Sequence, residues 1–295
     1  MTAPQVAIVI PTYQRGALLA RTLRAVSGLK TAVAHEIVVV DDGSDEVNLA
    51  LVERAVATCP TARLLRQENA GPARARNTGY RAGSGDLVAF IDDDCAPAPD
   101  WLQRLIAPFE RSDARLGAVG GRVLPEPPHN WVGRFCAATE YSSGLQPVFL
   151  NAATANACFR RSVLDELGGF DEGFRHPGGD DPDLSERVRA AGYRLEFVPD
   201  AIVYHAELET LGDFLGHMFR RGLGEARLAS KHGRRARTAL RAALLPLFLA
   251  RTASGCWRRT AGKGGVVTRA AWTALDALGR AAFVAGSVTG LARGV

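Results

Sequence analysis

No two of the five cysteines, Cys59, Cys95, Cys136, Cys158 and Cys256, stand in a CxxC pair, and their number is odd. A disulfide framework and a zinc ribbon are thereby excluded as organising devices, and the pattern fits a reducing compartment. No secretory signal is expected at the start, because the first apolar run, Val6–Ile10, is too short for a signal core. A spanning helix needs about 20 apolar residues. The uncharged runs of the C-terminal part, 242–250 and 281–292, have only nine and twelve residues. Internal repeats and long low-complexity segments are lacking. No GxGxxG follows any candidate strand, which argues against a dinucleotide-dependent dehydrogenase.

What is present is an ordinary globular composition. The 295 residues are 47% apolar and 23% charged, enough for one large domain or two small ones around a sizeable core. The net charge of +5 hides an asymmetry. From His217 onward fifteen Lys or Arg face two acids, a balance of +13, which leaves −8 for Met1–Gly216. An acidic body can hold a cation, and a basic tail can meet an anionic surface. Nucleic acid is not expected as a partner, since no recognisable binding module accompanies the basic residues.

Apolar patterning predicts alternating strands and helices. Val6–Ile10 and Ile37–Val40 are continuous β-branched runs of the kind buried in parallel sheets. Between them Leu19, Leu23 and Val26 mark one face of a helix, and Val47, Leu51, Val52 and Ala55 mark another. Ala62–Leu65 reads as a third strand and Leu87–Ile91 as a fourth. Gly71-Pro72 opens a helix that Gly83 closes. A further helix runs from Pro99 with Leu102, Leu105, Ile106 and Phe109 inward. The alternation predicts a doubly wound, parallel α/β sheet. Beyond Gly121 come a proline loop (Pro125, Pro127, Pro128), a helix over Arg160–Leu167 and another over Pro182–Ala191. Boundaries are expected near residues 120 and 215, giving segments 1–120, 121–215 and 216–295.

The second strand ends in Asp41-Asp42-Gly43-Ser44 and the fourth in Asp92-Asp93-Asp94. Ligands in open α/β sheets sit outside the carboxyl ends of strands, so both acidic clusters are expected at one crevice. Strand alternation would point Asp92 and Asp94 to one side and Asp93 to the other. Three adjacent carboxylates repel unless a cation sits among them. One or two of them plus substrate phosphates suit Mg2+ or Mn2+.

These residues, with their neighbours, resemble a known family. Val6-Ala7-Ile8-Val9-Ile10-Pro11-Thr12-Tyr13, Val39-Val40-Asp41-Asp42-Gly43-Ser44 and Asn69-Ala70-Gly71-Pro72-Ala73-Arg74-Ala75-Arg76-Asn77-Thr78-Gly79 look like the opening of family 2 glycosyltransferases of GT-A fold. Phe90-Ile91-Asp92-Asp93-Asp94, Asn156-Ala157-Cys158-Phe159-Arg160-Arg161, Gly168-Gly169-Phe170-Asp171-Glu172 and Gly179-Asp180-Asp181-Pro182-Asp183-Leu184 continue the match in order. The likeness covers roughly residues 5–225, and ordered agreement over many motifs is far more specific than one DxD.

The resemblance implies a mostly parallel nucleotide-binding sheet flanked by helices, an acceptor-binding part and a C-terminal helical tail. It also implies transfer of a sugar from a nucleotide diphosphate sugar to an acceptor hydroxyl, with inversion and with Mg2+ or Mn2+. Pro11, Thr12 and Asp42 match positions that hold base and ribose, Gly71 and Arg76 the segment that closes over the nucleotide. Asp92 and Asp94 match the DxD, with Asp94 the direct metal ligand and Asp93 beside them in the donor site. Asp181 matches the general base. Asp180 stands where the family usually has Glu, one methylene longer. Asp181 also precedes a proline-opened helix, where a carboxylate makes an N-terminal cap. His205 matches a position that touches metal or diphosphate. Arg220 and Arg221 are expected near the pyrophosphate, and Asn156, Trp131, Tyr141 and Asp180 around the acceptor, which is a glycan, a lipid-linked sugar or a small molecule.

Arginines flank the two short apolar runs of the tail, with Trp257 and Trp272 nearby, as in helices that lie on anionic lipid; a helical pair packed on the body and a dimer contact are the alternatives. The expected location is cytoplasmic, peripheral on the inner face of a membrane, and cell-envelope polysaccharide is the expected context. Two alternatives differ in class. A sugar nucleotidyltransferase would want a glycine-rich phosphate loop after the first strand, and Pro11–Arg15 contains no glycine. A non-catalytic nucleotide-sugar-binding or scaffold protein would have lost Asp94 or Asp181, and both are present.

Overall fold

The computed structural model describes residues 6–139 and 152–294. The chain divides into two compact units. The first comprises Met1–Leu124, Leu145–Arg175 and Asp181–His205, the second Pro125–Gly144, His176–Asp180 and Ala206–Val295. Residues 121–215 thus contribute to both.

The first unit is built on one eight-stranded sheet. Its strands are β1 (Val6–Thr12), β2 (His35–Asp41), β3 (Ala62–Arg66), β4 (Leu87–Phe90), β5 (Cys95–Pro97), β6 (Leu116–Pro125), β7 (Ala157–Arg160) and β8 (Arg194–His205). They lie in the order β3-β2-β1-β4-β7-β6-β8-β5. The pairs β3–β2, β2–β1 and β1–β4 are parallel, whereas β4–β7, β7–β6 and β8–β5 are antiparallel. The strands read as continuous apolar runs form the parallel half. Every residue of β1 is buried, as a central strand covered on both faces requires. At the edge, β3 is only partly covered.

From β1 the chain winds outward to β2 and β3, then returns to place β4 on the other side of β1. Strand order therefore reverses between β1 and β4, the position where open α/β sheets leave a crevice at their carboxyl ends. Helices α1 (Gly16–Ser27), α2 (Glu46–Ala57) and α3 (Pro72–Ala82) follow β1, β2 and β3, and α4 (Trp101–Arg111) follows β5. Leu19, Leu23 and Val26 of α1 and Leu102, Leu105, Ile106 and Phe109 of α4 are buried as their spacing predicts, while Val47 of α2 is exposed. Helix α3 lies tight on the sheet: a Cβ on Gly79 would stand 2.3 Å from Val9 Cγ1.

Helix α6 (Arg161–Leu167) ends on Gly168 in the left-handed conformation, φ 73°, where glycine carries no Cβ penalty. Helix α7 (Asp180–Ala190) starts two residues earlier than its proline suggests, so Asp181 lies inside the first turn.

The second unit is helical: α5 (Trp131–Thr139), α8 (Leu211–Lys231), α9 (Arg235–Ala243), α10 (Leu245–Arg259) and α11 (Val266–Arg293). Phe135, Phe214, Met218, Cys256, Trp272 and Leu275 form its core, with Phe135 and Phe214 edge to face at 5.4 Å. Helices α8 and α11 meet backbone to backbone. A Cβ on Gly222 would stand 2.1 Å from Phe283 O, and one on Gly286 2.1 Å from Phe219 O. For 281–292 the sequence left a membrane interface, a packed helical pair and a dimer contact open; Val284, Gly286, Ser287 and Gly290 of that run are buried, and Gly290 packs on Ala226 of α8. Trp272 is buried too. Among the described residues no helix is long and apolar enough to cross a membrane.

Candidate functional site

The carboxyl ends of β1 and β4 bring together the first group of predicted residues. Pro11 and Thr12 end β1 in register with Val40 and Asp41. Thr12 Oγ1 donates to Asp93 Oδ2 at 2.7 Å, and Thr22 Oγ1 of α1 donates to the Asp93 carbonyl at 2.8 Å. Strand β4 ends at Phe90, so Asp92–Asp94 occupy a turn and the alternation expected of a strand does not govern them. Asp93 and Asp94 instead share one guanidinium: Arg15 Nη1 lies 3.4 Å from Asp93 Oδ1 and 2.7 Å from Asp94 Oδ2. Burial, then the charge of Asp94, pushes Asp93 up to about 7 against the pull of Arg15 and Thr12. Burial also penalises the Asp94 carboxylate, but His205 and Arg15 outweigh it and hold Asp94 below the ordinary carboxylate range.

Asp42 is the hub of the neighbouring loop. Its carboxylate accepts from Gln67 Nε2 (2.7 Å), Asn69 Nδ2 (3.1 Å), Ala70 N (3.0 Å) and Gly71 N (2.8 Å). An anion held by two side-chain and two backbone donors fixes the turn that starts α3. At Gly71 φ is 94° and a Cβ would meet the Arg175 carbonyl at 2.7 Å, so the turn requires glycine. Five residues on, buried Arg76 reaches back to Asp92 Oδ1 at 2.8 Å and stacks over Phe170 with 5.9 Å to the ring centre. Asp42 and Arg76 thus tie the 67–76 segment to the ends of β2 and β4.

His205 ends β8 in register with Cys95 of the edge strand β5. Its Nε2 lies 3.4 Å from Asp94 Oδ1. Ligand atoms of Asp94, Cys95 and His205 all fall within 4.8 Å of one another. A carboxylate facing an imidazole fits a divalent ion that keeps further positions for water or phosphate oxygens. Burial, then the charges of Asp94 and Asp92, raises the Cys95 thiol well above its usual range. Asp92, expected as a second ligand, accepts from Arg76 Nη2 through Oδ1 at 2.8 Å.

Asp181, at the start of α7, accepts from Thr154 Oγ1 at 2.8 Å and from Thr154 N at 3.3 Å. Thr154 opens a 3-10 turn (Thr154–Asn156) that leads into β7. Asn156 itself is committed to the fold, contrary to the expectation that it lines an acceptor pocket. It is buried, accepts from Trp101 Nε1 at 2.8 Å, and donates to Arg122 O at 2.9 Å and Ala201 O at 2.8 Å, so α4, β6, β7 and β8 are pinned by one amide. Asp180 is buried as the first residue of α7. Trp131 is 45% exposed at the start of α5. Arg220 and Arg221 lie on α8 of the second unit, and Tyr141 lies outside the described residues.

Sequence reasoning missed Arg15, Cys95 and Thr154. Arg15 sits four residues after Pro11 in a segment read only for its lack of glycine. The acid run it neutralises was the available signal.

The family described as Glycosyl transferase family 2 matches residues 7–168, and Glycosyltransferase like family 2 matches residues 131–235. The chain is 31% identical over 236 residues to the pre-mycofactocin glycosyltransferase of Mycobacterium tuberculosis, covering 77% of this chain but 48% of that protein. It therefore spans about half the length of that relative. It is 30% identical over 233 residues to glycosyltransferase AglE of Haloferax volcanii, covering 76% of this chain and 74% of AglE. Among solved structures, the mannosyltransferase PcManGT from Pyrobaculum calidifontis, in complex with GDP-Man and Mn2+, is similar with a TM-score of 0.66 at 22% identity, over 99% of this chain and 88% of that one. The GT-A fold expected from the sequence is the fold found. With a matching family model over more than half its residues, the chain belongs to glycosyl transferase family 2.

Proposed function

We propose that this chain transfers a sugar from a nucleotide diphosphate sugar to an acceptor hydroxyl with inversion. Asp94 and His205 would hold Mg2+ or Mn2+, and Asp181 would act as general base. The observation that carries the reading is the 3.4 Å approach of His205 Nε2 to Asp94 Oδ1 at the mouth of the sheet. The two residues, one in the turn after β4 and one at the end of β8, are far apart in sequence. When bound, the ion stabilises charge that builds on the leaving diphosphate, more in the transition state than in the ground state.

The remaining work falls to the chain. Pro11, Thr12, Asp42 and Gly71 shape the floor on which base and ribose rest, and Arg76 fixes the segment that covers them. Asp42 supports this by holding the loop rather than by an open carboxylate, since four donors already occupy it. Arg15 has a half-exposed side chain and lies beside the acid run, where it can pass from the carboxylates to a diphosphate oxygen. Asp181, oriented by Thr154, takes the proton of the acceptor hydroxyl as that oxygen attacks the anomeric carbon and the sugar–phosphate bond breaks. The solved complex of PcManGT with GDP-Man and Mn2+ supports the donor class and the ion. The names of two curated relatives, chondroitin synthase of Escherichia coli and glucosyl-dolichyl phosphate glucuronosyltransferase of Haloferax volcanii, support a polysaccharide or lipid-linked acceptor. We also place the basic tail on the anionic inner face of a membrane.

The deciding experiment is a thermal-shift screen of GDP, UDP, ADP and dTDP with and without Mn2+, followed by sugar transfer from the matching donor. A nucleotide whose stabilisation depends on Mn2+ raises the melting temperature by mass action, and EDTA then suppresses transfer until Mg2+ or Mn2+ is restored. Indifference of both binding and turnover to chelation overturns the metal assignment.

A further inference from the structure

Helices α9 and α10 are joined almost without interruption. Leu244 N donates to Leu240 O at 2.9 Å and Phe248 N to Leu244 O at 2.9 Å, so the helical ladder runs through the junction. Leu240, Leu244 and Leu247 follow at helical spacing along one stripe. They are 58%, 45% and 68% exposed. Single exposed leucines need no explanation, but three in a row on one helix face mark an interaction surface.

The chemistry beside that stripe is basic throughout. From Arg234 to Arg259 the sequence holds seven arginines and no acid. Next to the leucines is a cavity of about 120 Å³, lined by Arg234, Arg237 and Arg241 with Thr238 and Glu225. Glu225 stands 3.6 Å from Arg241, so three guanidinium groups face one carboxylate and a positive surplus remains. The space equals several water volumes of about 30 Å³ each. Its walls offer the forked donors that suit phosphate oxygens.

We propose that the α9–α10 face is the landing site for an anionic lipid surface. Leu240, Leu244 and Leu247 enter the acyl boundary, and the cavity of Arg234, Arg237 and Arg241 receives a headgroup phosphate. The proposal rests on the placement of the tail at a membrane and narrows it to one face. It follows from two neighbouring features: an apolar stripe of α9 and α10 that is exposed among the described residues, and a cationic cavity between α8 and α9. That combination is the signature of helices that lie in a lipid interface. A second copy of the chain fits less well, because pairing the same face about a two-fold axis sets arginines against arginines.

The test is co-sedimentation of the full chain with vesicles of phosphatidylcholine alone and with about one third phosphatidylglycerol. Binding is expected to the anionic vesicles only and to weaken with salt. The double variant Leu240→Gln/Leu247→Gln is expected to lose about tenfold or more in partitioning. Arg237→Gln is expected to lower the preference for anionic lipid while leaving residual binding. All three side chains are exposed, so melting temperature and far-UV circular dichroism should match wild type. Inorganic phosphate added free should compete poorly, which separates a headgroup at a surface from a soluble anion. If wild type binds anionic vesicles and the leucine double variant binds equally well, this face is wrong and another part of the tail makes the contact. If wild type ignores anionic vesicles, both the face and the membrane placement fall. Wild-type self-association that the leucine substitutions abolish overturns the proposal in favour of a dimer.

Discussion

A single guanidinium, that of Arg15, bridges Asp94 Oδ2 at 2.7 Å and Asp93 Oδ1 at 3.4 Å. It occupies the cationic position that the acid run demands, on the side of Asp94 away from His205, which faces Oδ1. Arg15 and a divalent ion therefore draw on the same carboxylate charge.

Replacing Arg15 by Gln is expected to tighten Mn2+ binding to the nucleotide-free protein by about tenfold, the scale of losing one like-charged neighbour near a protein surface. Electron paramagnetic resonance of free Mn2+ reads this directly. Unchanged or weaker binding would show that Arg15 organises the site instead of competing for it.

Asp181→Asn keeps the size of the side chain and removes the proton acceptor. Sugar transfer should fall by about 10²–10⁴-fold, the usual range for loss of a general base. Nucleotide-dependent thermal stabilisation should persist, since Asp181 pairs with Thr154 whereas the Asp42 carboxylate is held by Gln67, Asn69, Ala70 and Gly71. Thr154→Val should give a smaller fall in kcat with little change in donor KM, because it removes the hydroxyl bond to the carboxylate and keeps the backbone N–H bond and the carboxylate itself. Full turnover in Asp181→Asn removes the base assignment.

Gly71→Ala forces a Cβ toward the Arg175 carbonyl at a φ of 94°. A cost of about 1–3 kcal/mol is expected, seen as a lowered melting temperature. Nucleotide binding should weaken in parallel, since the Asp42 loop cannot close. A variant with wild-type stability and wild-type nucleotide affinity would contradict the turn geometry.

All five cysteines are buried. Burial pushes the thiols of Cys95, Cys136, Cys158 and Cys256 above their ordinary range. Because the thiolate is the reactive form, raised values slow alkylation and disulfide exchange at neutral pH. Ellman's reagent should therefore find almost no thiol in the native protein and five per chain in guanidinium. A fast-reacting native thiol, Cys95 above all, would contradict the closed packing beside Asp94.

Those residues also mark what could be read without coordinates. β1, β2, β4 and helices α1 to α4 were legible because continuous apolar runs and helical spacing come from local burial, which each segment carries in its own sequence. β6 was not, since Gly117, Gly120 and Gly121 dilute its pattern. A Cβ on Gly121 would strike Ala201 O at 2.4 Å and Asn156 Nδ2 at 2.5 Å, so those glycines record close approach rather than a loop. β8 was visible only over Ala201–Tyr204, because much of the rest is half-exposed and interrupted by Pro199. At the site, ordered motifs brought Asp94 and His205 forward as partners. They could not show that Asp92 turns to Arg76 or that Asn156 is spent on Trp101 and two carbonyls. Both depend on where a turn aims a side chain, which spacing along the chain does not encode. The tail run 281–292 stayed open between lipid, a packed helical pair and a dimer contact for a related reason: a glycine-rich uncharged stretch looks the same whether it faces lipid or a neighbouring helix.

The glycine contacts between α8 and α11 have a mechanical corollary. With Gly222 set against the Phe283 carbonyl and Gly286 against that of Phe219, neither helix can slide or roll without driving backbone into backbone. At that crossing a relative shift of the two helices has to deform main chain, whereas toward the start of α8 the side chains of Phe214 and Met218 lie against Gly279 and can adjust.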